Sequence, residues 1–492
     1  MIKIMKFFKL PMIYLFLILV LAFSVRLYKL DSPVADWHSW RQADTAAVSR
    51  NFYKEGFNPF YPKYDDMSGV AEIPNVNTER YRFVEFPIYN SLVYFAYLVN
   101  GGVDERLARL VSIIFSLGSL VFVSLITKKY FGLLTSLVAA FLFAVLPFNI
   151  FFSRVILPEP SLIFFSLGMF YFVDRWIFEQ KFWLYIFGVL FTALALLTKP
   201  MAIFYLLPLI YSYLKKESRL FPIPDKYLLL LIPAVIPFLI WRMWMWQHPE
   251  GVPASSWLFN GNDIRFRPAF WWWILQDRFG REILSVAGSI LFAIGLFVKP
   301  KPKEGMLLHL LALFSFIYLI VFATGNVTHD YYQTFIVPAL VIFTARGFVL
   351  LLEGVPSFIP RLWTIPFALL LLPLMIYFGW REIKGLYQIN NGVIVEAGKY
   401  ADKILPKDAK VLAPYGGDTS FLYQINRPGF PYVYLPVDEM VKKYKLTHYV
   451  SVNRDDNTNF VLKNYKIIED NPKFVIADLR EKVNSQVQDD KK

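Results

Sequence analysis

Residues 11–25 read PMIYLFLILVLAFSV, an uncharged apolar run that extends, with its flanks, over about residues 8–28. A helix needs about 20 mostly apolar residues to cross a bilayer, so this run is long enough to span. Segments of the same character recur near 87–100, 108–127, 131–149, 159–174, 182–198, 201–214, 226–246, 283–298, 305–323, 331–352 and 361–379. The chain of 492 residues is 56% hydrophobic and only 18% charged, too apolar for one soluble core. The pattern predicts a multi-pass helical membrane protein. Lys3, Lys6 and Lys9 precede the first run as in a leader peptide, but no small-residue cleavage site follows it. It is therefore expected to be retained as a helix.

A formal charge of +13 raises the question of nucleic acid. The lysines and arginines sit mostly in short loops between spans, where they set membrane orientation instead. The loops KKY (128–130), KKESR (215–219) and KPKPK (299–303) are assigned to the cytoplasmic side with the N-terminal lysines. Residues 150–158, 247–280, 324–330 and everything after 380 then fall on the opposite face. Twelve crossings would not put the termini on opposite faces. The short segment 87–100 is accordingly read as a half-span or interfacial helix, leaving eleven full crossings. With no cysteine in the chain, disulfides, thiol chemistry and Cys-ligated metals are excluded.

Two loops on the non-cytoplasmic face are long, 29–86 and 247–280. Residues 1–379 are read as the membrane domain. Beyond about 380, short β-rich runs (YVYLP, THYVSVN, KFVIADL) alternate with polar helical stretches, predicting a small extracytoplasmic α/β domain over 380–480. The charged end, 481–492, is expected to be a disordered tail.

The loop after the first span carries ADWHSWRQADTAAVSRNFY (35–53). Ser39 and Gln42 have the spacing of a capping box, predicting a helix to about Tyr53 whose apolar stripe (Trp40, Ala43, Ala47, Val48, Phe52) lies on the membrane surface. Asp36 and His38 precede this cap, and Arg41 and Asp44 have the spacing of an ordinary i,i+3 pair. The same pattern of charge at an apolar segment's mouth recurs. RFVEFPIY (82–89) places Glu85, SRVILPEP (153–160) places Arg154 and Glu159, LTKP (197–200) places Lys199, and THDYYQ (328–333) places His329, Asp330, Tyr331 and Tyr332. Polar chemistry thus gathers at one interface, with His309 and Arg346 as the ionisable residues set within spans. Carboxylates beside cations suit a reaction with a hydroxyl nucleophile and an anionic leaving group. A polyprenyl phosphate, whose tail stays in lipid, explains why such machinery sits at the membrane surface.

Asp-x-His after the first helix, Glu-x-Pro at the second, Ser-Arg-x4-Glu, Leu-Thr-Lys and His-x-Tyr-Tyr together resemble the integral-membrane C-type glycosyltransferases. The set is most similar to glycosyltransferase family 39, the dolichyl-phosphate-mannose protein mannosyltransferases and the aminoarabinose transferase-like enzymes. The resemblance spans about residues 10–350 and implies a C-type fold with about 11–13 transmembrane helices. It implies inverting transfer from a polyprenyl-phosphate sugar to a hydroxyl of a lipid, glycan or protein acceptor, on the extracytoplasmic face of the cell (inner) membrane. Asp36 matches the position of the family's catalytic base. Trp37 stands where those enzymes usually carry a second acidic residue, which keeps Asp44 as a rival. Phe86 stands where the aminoarabinose enzymes carry a lysine, which shifts donor-phosphate binding to Lys199, His329 and Arg154. Glu85 is expected to orient base or acceptor. His38, Arg41, Glu159, Tyr331 and Tyr332 are the remaining candidate substrate contacts. Lys199 as a snorkelling anchor and Arg154 as a bridge to Glu159 are the alternative readings. The tryptophans 271–273 are read as an interfacial belt in preference to a sugar-stacking groove. No cofactor is expected, with a divalent ion on Asp36, His38, Asp44 and Glu85 as the alternative. The competing functions are a flippase or transporter, which would carry ionisable residues and broken helices near mid-membrane, and a polymerase or ligase of lipid-linked glycans.

Overall fold

The computed structural model describes residues 2–69, 76–355 and 359–483, without the side chains of residues 2–11. The expected tail falls almost wholly outside the described residues. Every apolar segment read from the sequence forms helix, and the chain divides into two compact units, 1–30, 109–244 and 255–387 in one and 31–108, 245–254 and 388–492 in the other.

The first unit is helical. Among the described residues, five helices are long and apolar enough to cross a membrane, or up to six if the pair Pro268–Ile283 and Ser285–Phe297, bent by 109°, is one span. Further apolar helices, Met12–Arg26, Phe182–Thr198 and Leu307–Val321, are shorter. Gly132, at φ 85°, breaks the long helix Glu105–Val145 where the sequence separates two segments. The helices Ser285–Phe297 and Val337–Glu353 cross at glycines. A Cβ on Gly295 would lie 1.8 Å from the Phe343 carbonyl oxygen, and one on Gly347 would lie 1.8 Å from that of Leu291. Such close approach replaces the hydrophobic drive that lipid does not supply. Arg346, buried on the second of these helices, pairs with Glu304 at 2.8 Å and donates to the Val298 carbonyl at 2.9 Å. It thereby ties down the basic loop 298–304. Trp271, Trp272 and Trp273 are all exposed.

The second unit is built on a five-stranded sheet of order β2-β1-β3-β5-β4, comprising β1 (Val411–Leu412), β2 (Gly429–Phe430), β3 (His448–Ser451), β4 (Tyr465–Asp470) and β5 (Val475–Lys482). β1 runs parallel to β2 and β3, and β5 is antiparallel to β3 and β4. Side chains alternate across the sheet. Val411, Val450 and Ile476 join a core with Ile394, Ala397 and Phe421 on one face. Leu412, Tyr449 and Ala477 join Val437, Met440 and Val461 on the other. The α/β character expected after residue 380 is present, with helices on both faces.

The division departs from the sequence-based boundary at 379/380. The first long loop belongs to the sheet's unit because it extends the sheet. Gly429 of β2 donates its N–H to Asp65 O at 2.9 Å, and its carbonyl accepts from Met67 N at 2.8 Å. Met67 is buried in the second of the two cores. An edge strand that would otherwise present unpaired backbone groups is covered in this way. The helix Ile88–Asn100 also lies in this unit. It is 13 residues long, about 20 Å at 1.5 Å per residue, too short to span.

Candidate active site

The candidate residues fall into two sets, one in each unit. In the sheet's unit, the helix that follows Asp36 spans Ser39–Glu55. The capping box is not formed. His38 is the N-cap, in the left-handed region at φ 54° and without a side-chain cap, and its carbonyl accepts from the N–H groups of Arg41 (3.1 Å) and Gln42 (3.3 Å). Ser39 is therefore already inside the helix, and the Gln42 amide turns to Asp36 Oδ1 at 2.6 Å and to the Trp37 carbonyl at 3.0 Å.

Nor does this helix lie on a membrane surface. Ser39 and every residue from Arg41 to Phe52 are buried. It packs between the Ile88–Asn100 and Ser420–Ile425 helices, and its charges are matched inside the unit. Arg41 Nη2 reaches both oxygens of Glu85, at 3.0 and 3.1 Å. Asp44 Oδ2 pairs with Arg82 at 2.8 Å, and Asp44 Oδ1 accepts from Thr419 Oγ1 at 2.6 Å. Arg50 pairs with Asp65, donates to the Tyr423 carbonyl at 2.8 Å and lies 4.4 Å over the Tyr423 ring. Arg41, Asp44, Arg82 and Glu85, with Asn90 from the next helix, line a small enclosed cavity. Burial pushes the nearby Asp66 carboxyl up to about 7, against the hydrogen bonds from Ser68. Burial also raises Asp418, with Asp44 adding to the effect. Trp37 packs edge-on to the His38 ring at 5.1 Å, and Phe86 packs against Phe60 at 6.1 Å.

The helical unit gathers the basic and aromatic candidates. Pro200 ends the helix Phe182–Thr198, since the residue before proline avoids the helical region, and Lys199 leaves it at φ −156°. The Lys199 ammonium pairs with Glu159 and lies 5.2 Å from the Tyr332 ring centroid. Lys199 is 7% exposed and Glu159 3%, so Lys199 does not snorkel to water. The His329 ring stacks on Tyr331 at 5.4 Å and meets Tyr332 and Trp257 edge-on at 5.7 and 5.6 Å. Asp330 pairs with Arg278 at 2.9 Å. Arg154 is fully buried. It donates to the Lys29 carbonyl at 3.1 Å and stacks 4.6 Å from the Tyr387 ring.

The sequence reading placed these residues together at one interface, whereas Glu159, Lys199, His329, Tyr331 and Tyr332 lie in the helical unit and Asp36, Arg41, Asp44 and Glu85 in the other. It missed Gln42 as a partner of Asp36, and it missed Arg82, Thr419, Arg278 and Trp257. Arg82 stands three residues before Glu85 and was legible as a charge at the same segment mouth. Thr419 carries no local signal. Among the described residues, no three His, Asp or Glu side chains are grouped to hold a metal ion.

Residues 87–244 match the family model described as dolichyl-phosphate-mannose-protein mannosyltransferase. ArnT from Cupriavidus metallidurans in the apo state aligns with a TM-score of 0.63 at 12% identity, over 94% of this chain and 97% of that one. Its form bound to undecaprenyl phosphate aligns at 0.60 with 13% identity and the same coverage. This is the C-type membrane glycosyltransferase fold. The archaeal oligosaccharyltransferase AglB from Archaeoglobus fulgidus, in complex with an inhibitory peptide and a dolichol-phosphate, shares it at a TM-score of 0.55 and 12% identity, over 96% of this chain and 74% of that one. No curated protein matches in sequence. The family match over 87–244 and the shared fold agree with the resemblance drawn from the motifs.

Proposed function

We propose that the chain transfers a sugar from a polyprenyl-phosphate-linked donor to an acceptor hydroxyl on the extracytoplasmic face, with inversion and with Asp36 as general base. The observation that carries this choice is the state of the rival. Both oxygens of Asp44 are engaged, by Arg82 and by Thr419, so neither is aimed at an incoming hydroxyl. Glu85 is engaged through both oxygens by Arg41. Asp36 is held at Oδ1 by the Gln42 amide, which orients its carboxylate.

In this reading Asp36 takes the acceptor hydroxyl's proton as its oxygen attacks the anomeric carbon, and the polyprenyl phosphate leaves on the opposite face of the sugar. Lys199 and His329 are assigned the charge that develops on the leaving phosphate, with Tyr331 and Tyr332 as further substrate contacts. Arg154, stacked on Tyr387 and bound to the Lys29 carbonyl, is assigned to the scaffold. The structures of ArnT bound to undecaprenyl phosphate and of AglB with a dolichol-phosphate support a lipid-linked donor. The acceptor is a lipid, glycan or protein hydroxyl.

The test is lipid mass spectrometry of native-host cells carrying wild type, Asp36→Asn or Asp44→Asn at equal protein level. Asp36→Asn is expected to accumulate one polyprenyl-phosphate sugar to the level of a gene deletion. Wild-type lipid levels in Asp36→Asn, beside accumulation in the deletion, would remove Asp36 as the base. An unchanged pool in the deletion itself would remove the donor class.

A further inference from the structure

Four successive backbone carbonyls approach and pass through Asp36, and each accepts a hydrogen bond from an amide. Val34 O accepts from Gln424 Nε2 at 3.0 Å, Ala35 O from Asn390 N at 2.9 Å, Asp36 O from Asn390 Nδ2 at 3.3 Å, and Trp37 O from Gln42 Nε2 at 3.0 Å. The same Gln42 nitrogen holds the Asp36 side chain. Val34 and Asp36 are fully buried and Ala35 is 1% exposed, and buried carbonyls left unpaired would be costly. The segment has no helix or strand to satisfy them. Two residues from the far end of the chain, Asn390 and Gln424, supply three of the four bonds.

A second feature shows that the grip is built in. Gly398, in the helix Gly392–Ile404, faces Gln424. A Cβ there would lie 2.4 Å from Gln424 Cβ and 2.7 Å from its backbone carbon, so glycine lets the Gln424 backbone come within reach of Val34. Thr419, in the segment leading to Gln424, bonds both Asp44 and the Trp40 carbonyl, fixing the first turn of the following helix to the same region. The donors are amides and a hydroxyl, which do not titrate in the working range.

We propose that the C-terminal α/β region acts as the positioning clamp of the acidic loop, with Asn390 and Gln424 fixing the backbone of residues 34–36 and Gln42 fixing the Asp36 carboxylate. The clamp's catalytic meaning rests on Asp36 as base; its mechanical part does not. Gln42, Asn390 and Gln424 are positioning residues and need not touch substrate.

The experiment uses the full-length protein purified in detergent. Hydrogen–deuterium exchange is read on peptides covering 31–38 and on remote peptides, for wild type, Gln424→Ala, Gln424→Glu and Asn390→Ala. In parallel, kcat and KM are measured with the polyprenyl-phosphate sugar that Asp36→Asn accumulates. Each variant is expected to speed exchange across 31–38 by about tenfold or more while remote peptides stay as in wild type. Misplacing a reacting group by about 1 Å costs on the order of 100-fold, so kcat is expected to fall by about 10- to 100-fold with KM within about twofold. Gln424→Glu keeps the side chain's size but loses the donor, and it separates the bond from the packing if Gln424→Ala does not fold. Unchanged exchange in Gln424→Glu and Asn390→Ala overturns the clamp, whatever Asp36 does. Faster exchange with unchanged kcat overturns its role in positioning. If Asp36→Asn is as active as wild type, the base assignment fails, while the exchange result still decides the mechanical part.

Discussion

The Arg41–Glu85 pair offers a sharp test of the acidic set. Its side chains are 5% and 8% exposed, and Arg41 Nη1 donates further to Thr45 Oγ1 at 3.2 Å. Glu85→Leu would leave a guanidinium in a nearly dry pocket. Removing one partner of a buried ion pair costs about 3–5 kcal/mol, whereas replacing both by apolar groups of similar volume is often neutral or stabilising. For a unit of this size about 1 kcal/mol moves the melting temperature by about 2–4 °C, so the single substitution is expected to lower it by roughly 6–20 °C. Thermal unfolding of the full-length protein in detergent, followed by intrinsic tryptophan fluorescence, reads this directly. The double variant Arg41→Met/Glu85→Leu should recover most of the loss while leaving transfer defective. A single variant that melts within about 2 °C of wild type, or a double variant no more stable than the single, would refute the reasoning, because the pocket would then be wet.

Gly347→Ala should force the Ser285–Phe297 and Val337–Glu353 helices apart, since a Cβ meets the Leu291 carbonyl at 1.8 Å. Overpacking of this kind costs about 1–3 kcal/mol and is read as a lower melting temperature and folded yield. Lys199→Met should destabilise the helical unit by stranding buried Glu159, and Lys199→Met/Glu159→Leu should restore folding but not transfer, which separates the structural from the chemical use of that lysine. Asp66 has its carboxyl raised by burial to about 7, so the folded state holds a proton that the unfolded chain has already released. That stabilisation is complete below the ordinary carboxylate range and is lost as pH rises through about 7. Asp66→Asn should therefore raise the melting temperature more at pH 8 than at pH 5; an equal gain at both would contradict it.

The membrane helices were legible because their signal is local. Uncharged runs mark each helix, and the gap between 108–127 and 131–149 marks the break that the structure places at Gly132. The charges at Glu159, Lys199 and 329–332 were legible at helix mouths, but the pairing of Lys199 with Glu159 was not, since the sequence reading set Arg154 beside Glu159. What failed did so for non-local reasons. The capping box at Ser39 and Gln42 was lost to one backbone angle at His38. The Ser39–Glu55 helix looked amphipathic enough for a membrane surface, but its polar side chains find partners at Arg82, Glu85, Asp65 and Thr419. The last of these lies 375 residues from Asp44 along the chain. No window of sequence contains that information. Composition changes near 380, while the unit that holds the sheet also takes in residues 31–108.

The pairing of Asp65 and Met67 with Gly429 also sets an order of manufacture. During synthesis the loop bearing Asp36 emerges early, yet the strand it must join is encoded after the last apolar segment. Until that strand arrives, the loop has no clamp and its buried carboxylates and arginines lack part of their surroundings. A nascent or truncated chain would therefore hold a membrane anchor and an unassembled acidic loop. Assembly of the acidic loop thus waits on the last part of the chain, so that the two ends of the sequence mature together.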